Sequence, residues 1–283
     1  TPHLDAFAAQ GRRYTNALSN TPACTPARAT LLTGKHVLQH GLINNELSLG
    51  THHQSLAHAL SGAGYDCGYI GKWHVYGVNR GAFIPPGPGR QGFDDYWAGV
   101  ECNHQYFQGY YYAANGEPVW FEQYEPDGQT DLAIDYLKGR EAKAKPFCLV
   151  LSWGPPHCPY VLSPQRHRDA YPDEAIELLP NAITAQVQSR ESRGRQAEPM
   201  ALNAAEAEAY KKEQIRGYYA HISALDDCFG RLMATLEGLG LAANTIVVLT
   251  SDHGDMLFSQ NHGWKTKPWR ESVGIPLLVR WPG

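Results

Sequence analysis

The sequence predicts an α/β fold with a largely parallel central sheet and helices on both of its faces. Strand-like and helix-like segments alternate along the 283 residues, which is typical of a parallel sheet covered by helices. Residues 244–251 (NTIVVLTS) form a continuous apolar, β-branched run, as in strands that are buried on both faces. With 43% hydrophobic residues, the chain can bury a substantial core, as one large domain or two ordinary ones.

Further elements are indicated in chain order. A helix is predicted over residues 27–32, because Pro26 sets a helical φ in a first turn and good helix formers follow it. Shorter strands are predicted at 68–70, 146–153 and 277–279. A long amphipathic helix is predicted over 204–238, with Gly238 as its stop. Residues 173–203 are polar and predict an extended surface excursion.

Two adjacent acids interrupt the apolar pattern of the long helix. Asp226 and Asp227 could be read as paired catalytic carboxylates. Successive acids in the middle of a helix usually point to solvent, so we expect both to be solvated.

Composition excludes several classes of function. The net charge of -4 leaves no basic patch for nucleic acid. No stretch approaches the roughly 20 apolar residues of a membrane span, and no signal-peptide pattern opens the sequence. Neither a zinc site nor a dense disulfide framework is indicated, because the six cysteines are scattered without CxxC spacing. The cysteine pattern does not distinguish an oxidising from a reducing cellular compartment.

Reactive residues follow three of the predicted strands directly. The strand at 68–70 runs into GKWH (71–74), the strand at 146–153 into GPPH (154–157), and the strand at 244–251 into SDHGD (251–255). Ligands of open α/β sheets bind beyond the carboxyl ends of the strands, so we expect the three clusters to share one rim. Taken singly, a histidine after a strand is more often structural than catalytic.

A fourth cluster, CTPAR (24–28), precedes the predicted helix at 27–32. Cys24 therefore lies just ahead of a helix N-terminus, where free backbone amides and the helix dipole favour an anion such as a sulfate ester. Arg28, about one turn further on, adds a fixed positive charge. The alternative is a buried structural cysteine beside a helix cap.

The four clusters together resemble the type I sulfatases of the alkaline phosphatase-like superfamily. CTPAR is similar to the family's CxPxR signature. Later blocks of the family resemble, in the same order, GKWH, PPHCP (155–159), SDHGDM and the lysine of HGWKTKPWRES. The segment after the family's first strand resembles TPHLD (1–5), and the start of one of its helices resembles Thr130-Asp131 with Ala133-Ile134. The end of its main domain resembles IPLLVRWPG (275–283).

The resemblance also implies that residues 1–283 are a fragment of the sulfatase catalytic domain. The family's first strand, which carries an adjacent pair of metal-binding aspartates, would precede Thr1. Its smaller C-terminal domain would follow Gly283. The family further suggests an exported protein, whether periplasmic, extracellular or lysosomal.

The resemblance implies a role for each matching residue. Cys24 would be converted by a formylglycine-generating enzyme to formylglycine, whose hydrated aldehyde attacks the sulfur of a sulfate ester. Arg28 would hold the hydrated aldehyde, and Lys72 and Lys265 would contact sulfate oxygens. His157 or Lys265 would protonate the departing alcohol. His74 would deprotonate the second hydroxyl, so that sulfate is eliminated.

The family pattern also implies a divalent metal, usually Ca²⁺, held by Asp252 and His253 together with residue 24. A carboxylate suits calcium well, whereas an imidazole nitrogen fits several other metals. The alternative for 252–254 is a polar turn that caps a buried strand. With the two upstream aspartates missing from the sequence, the site should be open and of low affinity.

Two other functions remain open: a phosphate or phosphonate ester hydrolase of the same superfamily, and a non-catalytic remnant in which Cys24 stays a thiol. The substrate alcohol is also open. Residues 96–124 are dense in aromatic residues that could form a sugar-binding wall or serve as core. A sulfated carbohydrate is the preferred substrate and a small aryl sulfate the alternative.

Overall fold

The computed structural model describes residues 1–140, 145–182, 186–188 and 199–282. Within these ranges the helices are α1 (Pro2–Gln10), α2 (Cys24–Thr33), α3 (Val37–His40), α4 (Leu56–Gly62), α5 (Glu125–Lys138), α6 (Gln165–Arg168), α7 (Ala204–Gly238) and α8 (Arg270–Val273). The strands are β1 (Arg12–Arg13), β2 (Asp66–Lys72), β3 (Tyr96–Val100), β4 (Tyr110–Tyr112), β5 (Pro118–Trp120), β6 (Phe147–Ser152), β7 (Gln186–Gln188), β8 (Pro199–Ala201), β9 (Val247–Thr250) and β10 (Leu277–Arg280).

A parallel sheet of order β3-β2-β6 forms the centre of the fold. Ile70 of β2 lies opposite Ala98 of β3 and Leu151 of β6. Because alternate side chains of a strand face opposite ways, Cys67 and Tyr69 pack in a cluster with residues of α2 and α4, whereas Ile70 packs with residues of α5. The predicted α/β architecture, with helices on both faces of a parallel sheet, is confirmed.

A second three-stranded sheet, of order β1-β10-β9, is antiparallel throughout. It contains the two remaining predicted strands, over Val247–Thr250 and Leu277–Arg280. β6 and β9 do not pair with each other within the described residues, yet Phe147 and Leu149 of β6 share one apolar cluster with Val247 of β9. The two sheets are thus joined through side chains.

The long helix α7 has the predicted bounds and begins with a capping box. The Asn203 side chain accepts from the backbone N–H of Glu206, and the Glu206 side chain accepts from that of Asn203. Apolar residues of its buried face include Phe229, whose ring meets that of Phe7 edge-on at 4.9 Å. No helix in the described part of the chain is both long and apolar enough to cross a membrane.

The expectation that Asp226 points to solvent is wrong. This carboxylate is buried and accepts hydrogen bonds from the backbone N–H groups of His3 (3.1 Å) and Leu4 (2.8 Å). It satisfies free amides at the start of α1, a position where the helix dipole also favours an anion. Asp227, by contrast, is exposed as expected.

Two other predictions need comment. The segment from residue 173 lies largely at the surface as predicted, with residues 173–175, 177 and 179–181 exposed, but Ile176 and Ala182 anchor it in a cluster with residues of α7. Residues 183–185 and 189–198 of the predicted excursion lie outside the described residues. The helix expected to start near Thr130 begins earlier, at Glu125, because Pro126 suits its first turn.

Candidate active site

Cys24 is the first residue of α2, and its side chain is almost completely buried. Ala23 before it has extended backbone, and Pro26 occupies the first turn of the helix, where no amide hydrogen is needed. Thr25 anchors this end of the helix: its backbone N–H donates to Asn45 Oδ1 at 2.9 Å, and its hydroxyl donates to the His74 carbonyl at 2.8 Å. The helix N-terminus is therefore held directly against the end of β2.

Three side-chain nitrogen atoms surround the sulfur of Cys24. Lys265 Nζ donates to it at 2.8 Å and Lys72 Nζ at 3.5 Å, and His253 Nε2 lies 3.3 Å away. Burial raises the pKa of the Cys24 thiol, but the charges of Lys265 and Lys72 outweigh this and hold the pKa well below its usual value. The position occupied by the sulfur therefore favours negative charge.

Arg28 contacts residues at the ends of three strands. Its Nη1 donates to the Lys72 carbonyl at 2.7 Å and to Ser152 Oγ at 2.8 Å, and its Nε lies 3.1 Å from Asp252 Oδ2. Burial raises the pKa of Asp252, but His253 and Arg28 more than compensate and lower it to about 2. Asp252 is therefore ionised at neutral pH.

The end of β2 turns sharply to present Lys72 and His74. Gly71 has φ +96°, and a Cβ there would lie 2.2 Å from the Ser152 carbonyl oxygen, so only glycine fits this position. His74 is buried with φ +57°, and its Nε2 lies 3.6 Å from Glu46 Oε1. Burial lowers the pKa of His74, but contacts with Cys102, Cys24 and Glu46 raise it to about 10.

His157 follows β6 and is held by both its ring and its backbone. Its Nδ1 donates to the Cys158 carbonyl at 2.7 Å, and its own carbonyl accepts from the Tyr106 hydroxyl at 2.6 Å. Its ring centroid lies 6.4 Å from that of His253. Burial, together with the charge of Lys265, lowers the pKa of His157 well below its ordinary value.

Asp252 and His253 follow β9 and face Cys24. His253 Nδ1 donates to the Gly254 carbonyl at 2.8 Å, which directs Nε2 toward the cysteine and Lys265. One ligand atom from each of Cys24, Asp252 and His253 lies within 4.8 Å of the others. A carboxylate and an imidazole whose other nitrogen bonds a carbonyl are a plausible part of a divalent metal site.

The structure brings all eight predicted residues together, although they span most of the sequence. Five lie at or beyond the ends of β2, β6 and β9, two come from the start of α2 and one from the segment before α8. The eight are Cys24, Arg28, Lys72, His74, His157, Asp252, His253 and Lys265. The shared rim expected from the strand ends is thus present.

Sequence reasoning missed several partners of these residues, namely Glu46, Ser152, Cys102 and His104. Cys102 and His104 follow β3, just as the recognised clusters follow β2, β6 and β9. The same rule would have found them had β3 been recognised among the aromatic residues of 96–124. Glu46 lies in a loop without any recognisable motif.

Comparison with known proteins agrees with this geometry. The profile of the sulfatase family matches residues 1–283. An ulvan-active sulfatase from Formosa agariphila is 37% identical over 286 residues, covering 100% of this chain and 52% of the relative. An N-acetylglucosamine-6-O-sulfatase from Bacteroides thetaiotaomicron is 27% identical, with 100% of this chain and 58% of the relative covered.

A crystal structure described as a putative sulfatase from Bacteroides fragilis superposes with a TM-score of 0.84 at 30% identity, covering 100% of this chain and 63% of that one. The fold thus defines a member of the alkaline phosphatase-like superfamily. The chain belongs to the sulfatase family. It spans just over half the length of the curated relatives that it matches.

Proposed function

We propose that this protein hydrolyses a sulfate ester of a carbohydrate through a formylglycine formed from Cys24. The observation that carries the proposal is the position of the Cys24 sulfur, at a helix N-terminus and within 3.5 Å of both Lys72 Nζ and Lys265 Nζ. A tetrahedral sulfate at this point would meet two ammonium groups and the positive end of a helix.

The nucleophile would be one hydroxyl of the hydrated aldehyde at position 24. It would lose its proton to solvent, which the preference of this position for negative charge favours. The resulting alkoxide forms a bond to sulfur while the bond from sulfur to the alcohol oxygen breaks, leaving a sulfate ester on residue 24. Lys72 and Lys265 stabilise the charge that develops on the sulfate oxygens. Arg28, fixed by the Lys72 carbonyl and by Asp252, holds the diol in place.

Two proton transfers complete the cycle. Lys265 or His157 protonates the departing alcohol. Because Nδ1 of His157 donates to the Cys158 carbonyl, Nε2 is the nitrogen that would deliver the proton, and it does so only from the imidazolium. The charge of a bound sulfate opposes the burial and the Lys265 charge that lower the pKa of His157, and so favours this form.

Neutral His74 then takes the proton of the second hydroxyl, the C–O bond to sulfate breaks, and the aldehyde forms again. Conversion of Cys24 favours the neutral form, because it removes one of the contacts that raise the pKa of His74. Glu46, 3.6 Å from His74 Nε2, balances the charge of the resulting imidazolium.

Asp252, His253 and residue 24 would hold a divalent cation, for which we propose Ca²⁺. When bound, the cation supplies positive charge beside the sulfate group and the nucleophile. Asp252 is suited to this role because its pKa of about 2 keeps it ionised. Calcium takes six to eight oxygen ligands, so further carboxylates must complete the site.

We further propose that a strand from outside these 283 residues supplies those carboxylates. Each of β6 and β9 pairs with only one neighbour in the described residues, and both contribute to one apolar cluster. Val248 on β9 is 55% exposed, which is unusual for an apolar residue of such a strand. A strand bound along these edges would pair their free backbone groups and cover Val248. Residues 1–283 would then be the larger part of a catalytic domain that a C-terminal subdomain completes.

A carbohydrate is the proposed alcohol because of the aromatic segment and the relatives. Phe107 and Trp120 are substantially exposed, whereas Tyr106 and Tyr124 are buried, so the segment serves both as core and as surface. Exposed aromatic rings are suited to the apolar faces of sugars. The names of the two curated relatives, which refer to ulvan and to N-acetylglucosamine, support the same class.

The test uses the full-length enzyme, produced together with a formylglycine-generating enzyme, on matched 4-nitrophenyl sulfate and phosphate and on a panel of sulfated sugars. We expect turnover of the sulfate ester to exceed that of the phosphate ester, and peptide mass spectrometry to find an aldehyde at position 24. A preference for phosphate would favour the phosphate or phosphonate hydrolase. A thiol at position 24 in protein from the native source would favour the non-catalytic alternative.

A further inference from the structure

The segment that follows β3 reaches the same rim as the proposed catalytic residues. Cys102 is buried there and belongs to the surroundings of Lys72 and His74, and His104 lies beside His157. The mechanism above uses neither Cys102 nor His104. Both nevertheless make specific contacts that converge on a single residue, His157.

A chain of hydrogen bonds runs from Cys102 to the backbone of His157. The Tyr106 hydroxyl donates to the His157 carbonyl at 2.6 Å, so its oxygen is available to accept from His104 Nδ1, 3.4 Å away. His104 Nε2 in turn lies 3.2 Å from Cys102 Sγ. With Nδ1 protonated, His104 Nε2 can accept from the thiol.

The ring of His104 also stacks on the ring of His157. Their centroids lie 4.2 Å apart with an angle of 20° between the planes. Hydrogen bonds at both ring nitrogens fix the orientation of His104, so its ring is a rigid surface on which the His157 ring stacks. The His157 imidazole is consequently held by the stacked ring, by the bond from Nδ1 to the Cys158 carbonyl and by the bond from Tyr106 to its carbonyl.

We propose that Cys102 and His104 are positioning residues that fix the imidazole of His157 for proton transfer to the departing alcohol. The proposal rests on the proposed function only for the role of His157. General acid catalysis requires the acid within hydrogen-bond reach of the leaving oxygen, so a loss of orientation should act on that step alone.

The dependence on the leaving group distinguishes positioning from a general structural role. 4-Nitrophenolate departs without protonation, whereas a sugar or simple alkyl alcohol needs an acid. In the full-length enzyme, we expect His104→Ala to lower kcat on an alkyl sulfate about tenfold or more and kcat on 4-nitrophenyl sulfate less than about threefold. Added to His157→Ala, the same substitution should lower kcat no further.

Cys102 is tested with a conservative pair of variants. Cys102→Ala should reproduce the selective loss, and Cys102→Ser should recover most of it, since a hydroxyl can still bond to His104 Nε2. Gln105→Ala, an exposed position in the same segment, is the control and should leave both activities unchanged. Equal losses on the two substrates, or no loss, would overturn the proposal.

Crystal structures of the variants decide the question independently of activity. In His104→Ala, the ring of His157 should leave its present orientation or occupy several, whereas in Gln105→Ala it should not. An unmoved His157 ring would overturn the positioning role even in an active sulfatase. An enzyme without sulfatase activity would refute the proposed function, but a displaced ring would still support the positioning of His157.

Discussion

The ammonium group of Lys265 lies 2.8 Å from the sulfur of Cys24, although 241 positions separate the two residues. The same nitrogen lies 2.7 Å from His253 Nε2, and Lys72 approaches the sulfur from a different strand end. Two ammonium groups converge on the first residue of a helix. Such an arrangement concentrates positive potential where an anionic ester and its transition state would bind.

Replacing Cys24 tests the covalent mechanism. Cys24→Ala should abolish turnover, because no nucleophile remains at the helix N-terminus. Cys24→Ser should leave at most a trapped sulfate ester, since serine can attack sulfur but offers no second hydroxyl for the elimination. Intact-protein mass spectrometry after incubation with substrate should find this ester. Sustained multiple turnover by the serine variant would rule out the formylglycine mechanism.

Removing the charge of Lys265 should weaken transition-state stabilisation. We expect Lys265→Met to lower kcat/KM for 4-nitrophenyl sulfate by about 10²- to 10³-fold, the usual loss for a group that stabilises developing charge. Lys267→Met removes the same charge two positions away and should change kcat/KM less than about threefold. Similar losses of kcat/KM in both variants would show that the overall electrostatic potential, and not the contact of Lys265 with residue 24, stabilises the transition state.

The buried carboxylate of Asp226 should stabilise the fold. Asp226→Ala leaves two amides at the start of α1 without their acceptor and should lower the free energy of unfolding by about 1 to 3 kcal/mol. Asp227→Ala, at the exposed neighbouring position, should change it by less than about 0.5 kcal/mol. Urea titrations of both variants measure the difference. Equal effects would contradict the capping role.

Glu125 should make stability depend on pH. Burial raises its pKa to about 8, despite hydrogen bonds from Gln129 and Asn103, so the folded state keeps a proton that the unfolded chain releases near pH 4.5. The protonated carboxyl of Glu125 therefore contributes to the free energy of unfolding. This contribution is complete below about pH 4.5 and is lost as the pH rises toward 8, and the free energy of unfolding falls by at most about 1.4 kcal/mol per pH unit.

Glu125→Gln removes this titration. Urea unfolding at pH 5 and pH 8 should therefore find a smaller loss of stability with rising pH in Glu125→Gln than in the parent protein. Glu122→Gln, at an exposed position, should behave like the parent. The same pH dependence in the Glu125 variant and the parent would mean that Glu125 does not titrate in this range.

The proposed additional strand should affect assembly, metal binding and activity together. Residues 1–283 made alone should bind Ca²⁺ weakly, hydrolyse sulfate esters poorly if at all, and self-associate through the edges of β6 and β9. Calorimetry with Ca²⁺, light scattering and an aryl sulfate assay measure the three properties, and adding the upstream segment should restore all of them. Full activity and a monomeric state without that segment would contradict the proposal.

Local patterns were sufficient to predict much of this protein. The apolar runs of β2, β6, β9 and β10 and the helical spacing of α7 depend on neighbouring residues, so a sequence can be read for them directly. The contributions of β2 and β6 to the site followed because reactive residues come after these strands, and the ends of parallel strands meet at one edge. β9 belongs to the antiparallel sheet, so the approach of its end to the same site depends on how the two sheets pack.

Contacts between distant segments were decided only by the tertiary structure. Asp226 looked like a solvent-facing acid until the start of α1, 222 positions away, was seen to pack against it. Cys102 and His104 follow β3, a strand that the sequence analysis did not recognise, and His104 acquires a role only because His157, from another strand end, stacks on it. Likewise, the antiparallel direction of β10 against β9 depends on the path of the chain between them. The sequence pattern predicts which residues form each helix or strand and which of their faces is apolar. The burial of a polar side chain and its hydrogen-bond partners depend on how those helices and strands pack.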